Sequence, residues 1–367
     1  MVFVSQRDLT VDVLRGLAIF VMIGANMAPL FEGSVPFLFR YYGSVAAPLF
    51  VLISGMMVAL TTETKHHGLK YFLIRGAMIV AVGALVDVLV WNIIPFTTVD
   101  VLYLIGISLP LAALSLHLKP KPRWVVMILI FLLTPILQGV LGYTEYPTEF
   151  YLWNLELTFV PQHPTNVLNH WIVDGWFPIF PWLGFSVVGV NLEELRRKWG
   201  SFARKDFILA GIGILAVGIP AWWVNPGRLM TRAGYVELFY PPTLGFVLTV
   251  LGTIAILFYI VDRKPSVFVY NPFRSLGESS LFIYVLHLVV IEYLIRPHFL
   301  TQDFKAYLLV YVGLACTIVL VSYGLRVLKT KWKNLICIVR PIILYFPVNH
   351  PPSCSSCVCI ERSTTRK

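Results

Sequence analysis

The chain has 367 residues, 57% hydrophobic and 13% charged, with a formal net charge of +10 and a mean hydropathy of +0.77. Soluble domains run about 45–50% apolar and about 25% charged, so a water-soluble globular protein is excluded. The apolar residues gather in runs near 20 residues, long enough to cross about 30 Å of hydrocarbon as helices, and not in the short alternating segments of a β-barrel.

The composition therefore predicts an all-α fold, a polytopic membrane helix bundle in the lipid bilayer. Ten spans are expected, near residues 11–31, 41–61, 71–94, 100–118, 123–142, 175–195, 207–223, 243–262, 277–296 and 306–328. The first is a retained span, since Arg15 interrupts its start and the run is long for a signal sequence.

That first span carries Asp12, Arg15 and Asn26. At about 100° per residue, Arg15 and Asn26 lie roughly 300° and 320° from Asp12, on one stripe. Asn26 is about 16 Å beyond Arg15 at a rise near 1.5 Å per residue. Polar groups inside a membrane are costly unless paired or used. The stripe reads either as a site that runs from one face inward, or as an Asp12–Arg15 pair at headgroup level with Asn26 bonded to a neighbouring helix.

The connecting segments alternate in charge. Lys65, Lys70 and Arg75 follow the second span, Lys119, Lys121 and Arg123 the fourth, and Arg196, Arg197, Lys198, Arg204 and Lys205 the sixth. Arg263, Lys264 and Arg274 follow the eighth, and Arg326, Lys329, Lys331 and Lys333 the last. Arg40, Arg228, Arg232, Arg296 and Lys305 are the exceptions on the other side. The positive-inside rule then puts both termini in the cytoplasm. It also explains most of the net charge, so no nucleic-acid partner is expected.

The longest outer segment, roughly 143–174, holds Glu145, Glu149, Glu156, His163, His170 and Asp174 but no Lys or Arg. Tyr151, Trp153, Trp171 and Trp176 suit an interfacial position. A loop this long is often functional, and it reads as a binding surface or as a plain connector. In the ninth span, His287 lies ten residues past Gly277, about 15 Å along the helix. Ser280 and Tyr284 share its face, and Glu278 points away. An ionisable group at that depth marks a site or, in the alternative, a neutral His that locks two helices together.

After Lys333 the character changes. Leu335–Phe346 is apolar but too short to span, and Pro- and Ser-rich sequence with Cys354, Cys357 and Cys359 follows. Residues 1–333 are expected to form the transmembrane domain, and 334–367 a short interfacial segment with a disordered cytoplasmic tail. No P-loop, no metal-ligand pair at helical spacing and no Gly-x-Ser-x-Gly elbow is present. A buried His, a polar stripe and an acidic, aromatic outer loop suit group transfer across the membrane. They suit a transporter of a polar or lipid-linked substrate equally.

Four blocks resemble the catalytic domain of the heparan-α-glucosaminide N-acetyltransferase family, within the wider transmembrane acyltransferases. They are Asp12-x-x-Arg15-Gly16-Leu17-Ala18-Ile19-x-x-Met22, Ala47–Gly55, Phe180-Pro181-Trp182-Leu183-Gly184-Phe185 with Gly189, and Asn271-Pro272-Phe273 through Gly277-x-x-Ser280-x-x-x-Tyr284-x-x-His287. The resemblance implies an integral membrane acyltransferase of the cell membrane that moves acetyl from cytoplasmic acetyl-CoA to an amino sugar or other glycan acceptor on the far side, with a homodimer as a family-like assembly. It implies that Asp12 and Arg15 hold the donor, together with Ser280 and Tyr284. Asn26 and His287 are the matching catalytic candidates. Asn26 is expected to hold the thioester carbonyl or the acceptor, and His287 to act as general base or as one member of a polar relay. The chain's own outer candidates are His170 and Asp174. One departure stands out. Animal lysosomal members have a His between the first two spans, proposed as acetyl carrier or base, and residues 27–47 contain none. Either His163, His170 or His287 takes that part, or transfer is direct, or the chain is a non-catalytic member.

Overall fold

The computed structural model describes residues 7–143, 151–152, 167–227 and 237–343, with residues after 329 described as backbone only. Each of the ten expected apolar runs is helical. The helices are α1 (Leu9–Leu30), α2 (Phe37–Lys65), α3 (Leu69–Trp91), α4 (Val101–Ser115), α5 (Pro120–Leu141), α6 (Val167–Asp174), α7 (Ile179–Trp199), α8 (Lys205–Val224), α9 (Leu244–Arg263), α10 (Phe268–Glu278), α11 (Ser280–Ile295) and α12 (Phe304–Ile343). Seven are long and apolar enough to span alone. The pairs α6–α7 and α10–α11 add two spans bent by 48° and 84°, and α4 is a shorter apolar helix. The molecule is an integral, multi-pass membrane protein. Among the described residues there is no strand, only isolated bridges such as Phe31 to Thr301.

Helix starts follow local chemistry. The Asp8 carboxylate accepts from the amide of Val11 at 3.1 Å, the Asp100 carboxylate from Val101 at 2.6 Å, and the Thr243 hydroxyl from Phe246 at 3.2 Å. Each satisfies a donor that the first turn leaves without an intrahelical acceptor.

The core is built around α1 and α2, which pack on each other and against α10, α11 and α7. Peripheral α3, α5, α8 and α12 expose Met78, Ile136, Val217 and Leu309. Such apolar surface would aggregate in water and belongs against lipid tails.

Two expectations need correction. The ninth span is not a continuous helix: it breaks between Glu278 and Ser280. His287 is therefore seven residues into α11, and its depth cannot be counted from Gly277. The outer segment is not all loop either, because residues 167–174 form α6. Glu145, Glu149, Trp153, Glu156 and His163 lie outside the described residues, as do Arg228, Arg232 and the Cys354–Cys359 cluster. Helix α12 runs past the expected boundary at Lys333, as far as Ile343.

Candidate functional site

The four motif blocks meet in pairs. A Cβ at Gly16 would stand 1.7 Å from the Phe273 carbonyl oxygen, and one at Gly277 1.9 Å from the Asp12 carbonyl oxygen. The backbones of α1 and α10 therefore touch, which only glycine permits. Helices α2 and α7 meet in the same way. A Cβ at Gly55 would lie 1.9 Å from the Ser186 oxygen, and one at Gly189 1.9 Å from the Leu52 oxygen.

Ion pairs then gather the basic helix ends at one end of the bundle. Arg7 Nε lies 2.5 Å from Asp12 Oδ2, and its Nη2 donates to the Glu278 carbonyl at 3.3 Å. Arg274 and Arg326 reach the Glu278 carboxylate at 3.3 and 3.5 Å. Arg196 pairs with Asp8 and, at 2.7 Å, with Asp262. Asp262 also accepts from Thr10 at 2.7 Å, Ser201 at 2.8 Å and the Phe202 amide at 2.7 Å. The ends of α1, α7 and α9 are locked together through that one carboxylate. Arg123, fully buried, joins α5 to α7 through Asn191 at 2.6 Å and through Glu194.

Asp12 and Arg15 sit within this end. Arg15 Nη1 is 3.5 Å from Asp12 Oδ1, so the two are a pair, as one reading of the stripe expected. Asp12 is almost fully buried, whereas Arg15 keeps 16% of its side chain exposed. On α3, exposed Arg75 donates to the Tyr71 hydroxyl at 3.0 Å. Ser280 opens α11 here, beside Ser279, whose hydroxyl accepts from Lys329 at 2.7 Å. It stands about 10 Å along the helix from His287 at 1.5 Å per residue, so it belongs to this end of the bundle.

The other end of the stripe meets the late His. Asn26 Nδ2 is 2.9 Å from His287 Nε2. His287 Nδ1 is 3.1 Å from the Ile283 carbonyl. A carbonyl only accepts, so Nδ1 carries the proton, Nε2 offers a lone pair, and the Asn26 amide donates to it. His287 is fully buried, whereas Asn26 is partly exposed. Tyr284 packs edge-on to the His287 ring at 5.3 Å.

The outer candidates come near indirectly. His170 and Asp174 are both buried in α6. His170 Nδ1 lies 2.6 Å from the Thr97 carbonyl, and the amides of Trp176 and Phe177 donate to Thr98 and Val99 at 3.0 and 2.8 Å. These residues brace the α3–α4 loop, and that loop leads to Asp100. The Tyr284 hydroxyl donates to Asp100 Oδ2 at 3.3 Å. Sequence reading passed over Asp100 because it stands where a span simply begins. Its only sequence signal is that of a helix cap.

A family model described as heparan-alpha-glucosaminide N-acetyltransferase, catalytic, matches residues 7–211, more than half of the chain. The chain belongs to that family. The match carries the α1, α2 and α7 motif blocks and ends within α8. The late block with His287 lies beyond it and is joined to it by the Gly16 and Gly277 contacts. A comparison with curated proteins finds no significant match.

Family membership implies a membrane transferase of the acetyl-transferring kind. The donor implied, acetyl-CoA, needs cations for its phosphates and a path for its thioester. Exposed Arg75 and partly exposed Arg15 fit the first need. The stripe from Arg15 to Asn26 fits the second, spanning 11 residues or about 16 Å at 1.5 Å per residue. No group of three or more His, Cys, Asp or Glu among the described residues is placed to hold a metal ion.

Proposed function

We propose that the protein transfers acetyl from acetyl-CoA, bound at the basic end beside Arg15, to an amino sugar or other glycan acceptor that reaches Asn26 from the opposite side of the cell membrane. The positive-inside rule assigns the basic end, with both termini, to the cytoplasm. Asp12 holds Arg15 in place, and Arg15 with Arg75 takes the phosphates of the donor.

At the far end, the Asn26–His287 contact carries the reading. An amide nitrogen has two hydrogens. One is committed to Nε2 of His287, whose tautomer is fixed by Ile283. The other is free to point at the thioester carbonyl oxygen, where negative charge develops as the acceptor attacks. A held donor at that position is worth about 100- to 1,000-fold in rate. The nucleophilic atom of the acceptor bonds to the acetyl carbon and the carbon–sulfur bond breaks. The proton lost by the acceptor ends on the sulfur of the departing CoA. His287 is the member of the polar relay that aims Asn26. No acetyl-His intermediate is needed, which accommodates the missing His in residues 27–47.

Liposomes loaded with acetyl-CoA test this function. Labelled acetyl on glucosamine outside, with no CoA crossing, supports the enzyme. Glucosamine that crosses unmodified supports a carrier, and no turnover with no saturable acetyl-CoA binding supports a non-catalytic member.

A further inference from the structure

The Asn26–His287 contact supplies a donor for the carbonyl but no group to receive the acceptor's proton. His287 is fully buried, and its lone pair is already engaged by Asn26. A carboxylate stands on the other side of Tyr284. Asp100 Oδ1 accepts from the Val101 amide at 2.6 Å, and Oδ2 receives the Tyr284 hydroxyl at 3.3 Å. Unlike His287, Asp100 keeps part of its surface exposed.

The loop that delivers Asp100 is strained and heavily braced. Asn92, Phe96 and Val99 have φ of 56°, 72° and 60°. Left-handed backbone at a bulky or β-branched residue is a true outlier, and such strain persists only where surrounding structure over-determines it, commonly at functional sites. Here the bracing is explicit. The Ile93 amide donates to the Asp87 carbonyl at 2.9 Å, and the Phe96 amide to the Tyr103 hydroxyl at 3.2 Å. Tyr103 in turn donates to the buried Asp87 carboxylate at 2.5 Å. Trp171 Nε1 donates to the Phe96 carbonyl at 3.0 Å, His170 holds Thr97, and the backbone after α6 holds Thr98 and Val99. A plain connector between two spans needs none of this.

We propose that Asp100 is a further catalytic residue of the transfer site, the carboxylate that takes the proton from the acceptor's nucleophile, with Tyr284 positioning it. The step balances. The acceptor N–H or O–H gives its proton to the Asp100 carboxylate as its lone pair bonds to the acetyl carbon. The carbon–sulfur bond breaks, and the proton passes to the sulfur and restores the carboxylate. The proposal rests on the transferase reading above. The ionisable groups on the elements around Asp100 are Tyr284, His287, Glu292 and Tyr293 on α11, Tyr103 on α4 with Asp87 behind it, and His170 and Asp174 on α6. Of these, Tyr284 touches the carboxylate directly.

Asp100→Asn separates this role from the helix cap, because Asn caps as well as Asp. The assay is acetyl transfer from acetyl-CoA to glucosamine by the full-length protein in liposomes, read against pH, with thermal protection by acetyl-CoA as the fold control. The expected result is a loss of about 100-fold or more in kcat, the scale of general-base catalysis, with donor protection retained. In the wild type, activity falls as pH drops and the carboxylate protonates. The residual activity of Asp100→Asn lacks that acid limb. Tyr284→Phe keeps the limb and loses rate to a smaller degree. Asp100→Asn with wild-type rate and an unchanged pH profile overturns the assignment while the transferase reading stands. A wild-type protein that transfers nothing overturns both.

Discussion

Asn26 and His287 are 261 positions apart in sequence and 2.9 Å apart in space. Each is the other's partner across the contact between α1 and α11. Removing Asn26 leaves the fully buried His287 nitrogen unsatisfied, at a cost of about 1–3 kcal/mol, and removing His287 empties a buried site, a loss of similar order. We expect Asn26→Ala and His287→Ala each to lower thermal stability by that order, and the double variant to lose less than the sum. Thermal unfolding in detergent across the double-mutant cycle measures the coupling. Strict additivity would show that the two side chains do not interact.

Gly277 lies against the Asp12 carbonyl, and a methyl group there overlaps backbone that has no freedom to move aside. Ala gains about 1 kcal/mol of helix propensity over Gly. Overpacking costs about 1–3 kcal/mol or more, and at a 1.9 Å approach the clash dominates. Gly277→Ala is expected to destabilise the protein and to separate α1 from α10. Gly313, with nothing within 4 Å of its added Cβ, serves as control, and Gly313→Ala is expected to be neutral or mildly stabilising. Melting temperatures of the two variants give the comparison.

His170 braces the loop that carries Asp100 through its bond to the Thr97 carbonyl. His170→Ala should lower the melting temperature, from a lost buried hydrogen bond worth about 1–3 kcal/mol, and reduce transfer. Because His170 acts through the loop, the shape of the pH–rate profile should stay that of the wild type. A changed acid limb in this variant would assign His170 a proton-transfer role of its own.

Arg196 joins Asp8, Asp262 and Glu193 at the basic end. Its side chain is 15% exposed and that of Asp262 5%. Removing one partner of a buried pair costs about 3–5 kcal/mol, since it leaves uncompensated charge behind. We therefore expect Arg196→Ala to lower the unfolding temperature more than any peripheral Lys or Arg substitution. Arg196→Lys should recover part of the loss but not all, because a single ammonium cannot serve two carboxylates as the guanidinium fork does.

Hydropathy and charge alternation made the helices and their common basic end legible, because lipid imposes length and loops carry the charge. The pairing of Asp12 with Arg15 and the bond from Asn26 to a neighbouring helix were also legible, as one of the two readings of the stripe had it. The break at Ser279 was not, since a hydropathy window registers apolar content and not direction. At that break Glu278 is met by Arg7 ahead of α1, Arg274 on α10 and Arg326 on α12, a set that only the fold brings together. Asp100 was hidden for a similar reason. In sequence it is one more polar residue before a span, and its meaning depends on Tyr284, 184 positions away.

The central claim is that Asn26, aimed by His287, sits where acetyl is passed on. Its most direct test compares wild type and His287→Ala in liposomes loaded with labelled acetyl-CoA, with glucosamine outside, at equal amounts of folded and inserted protein. The account predicts acetylglucosamine outside the wild-type vesicles and a rate lower by about 100-fold or more for the variant, the scale of a lost oxyanion donor. Equal rates for the two proteins would contradict it.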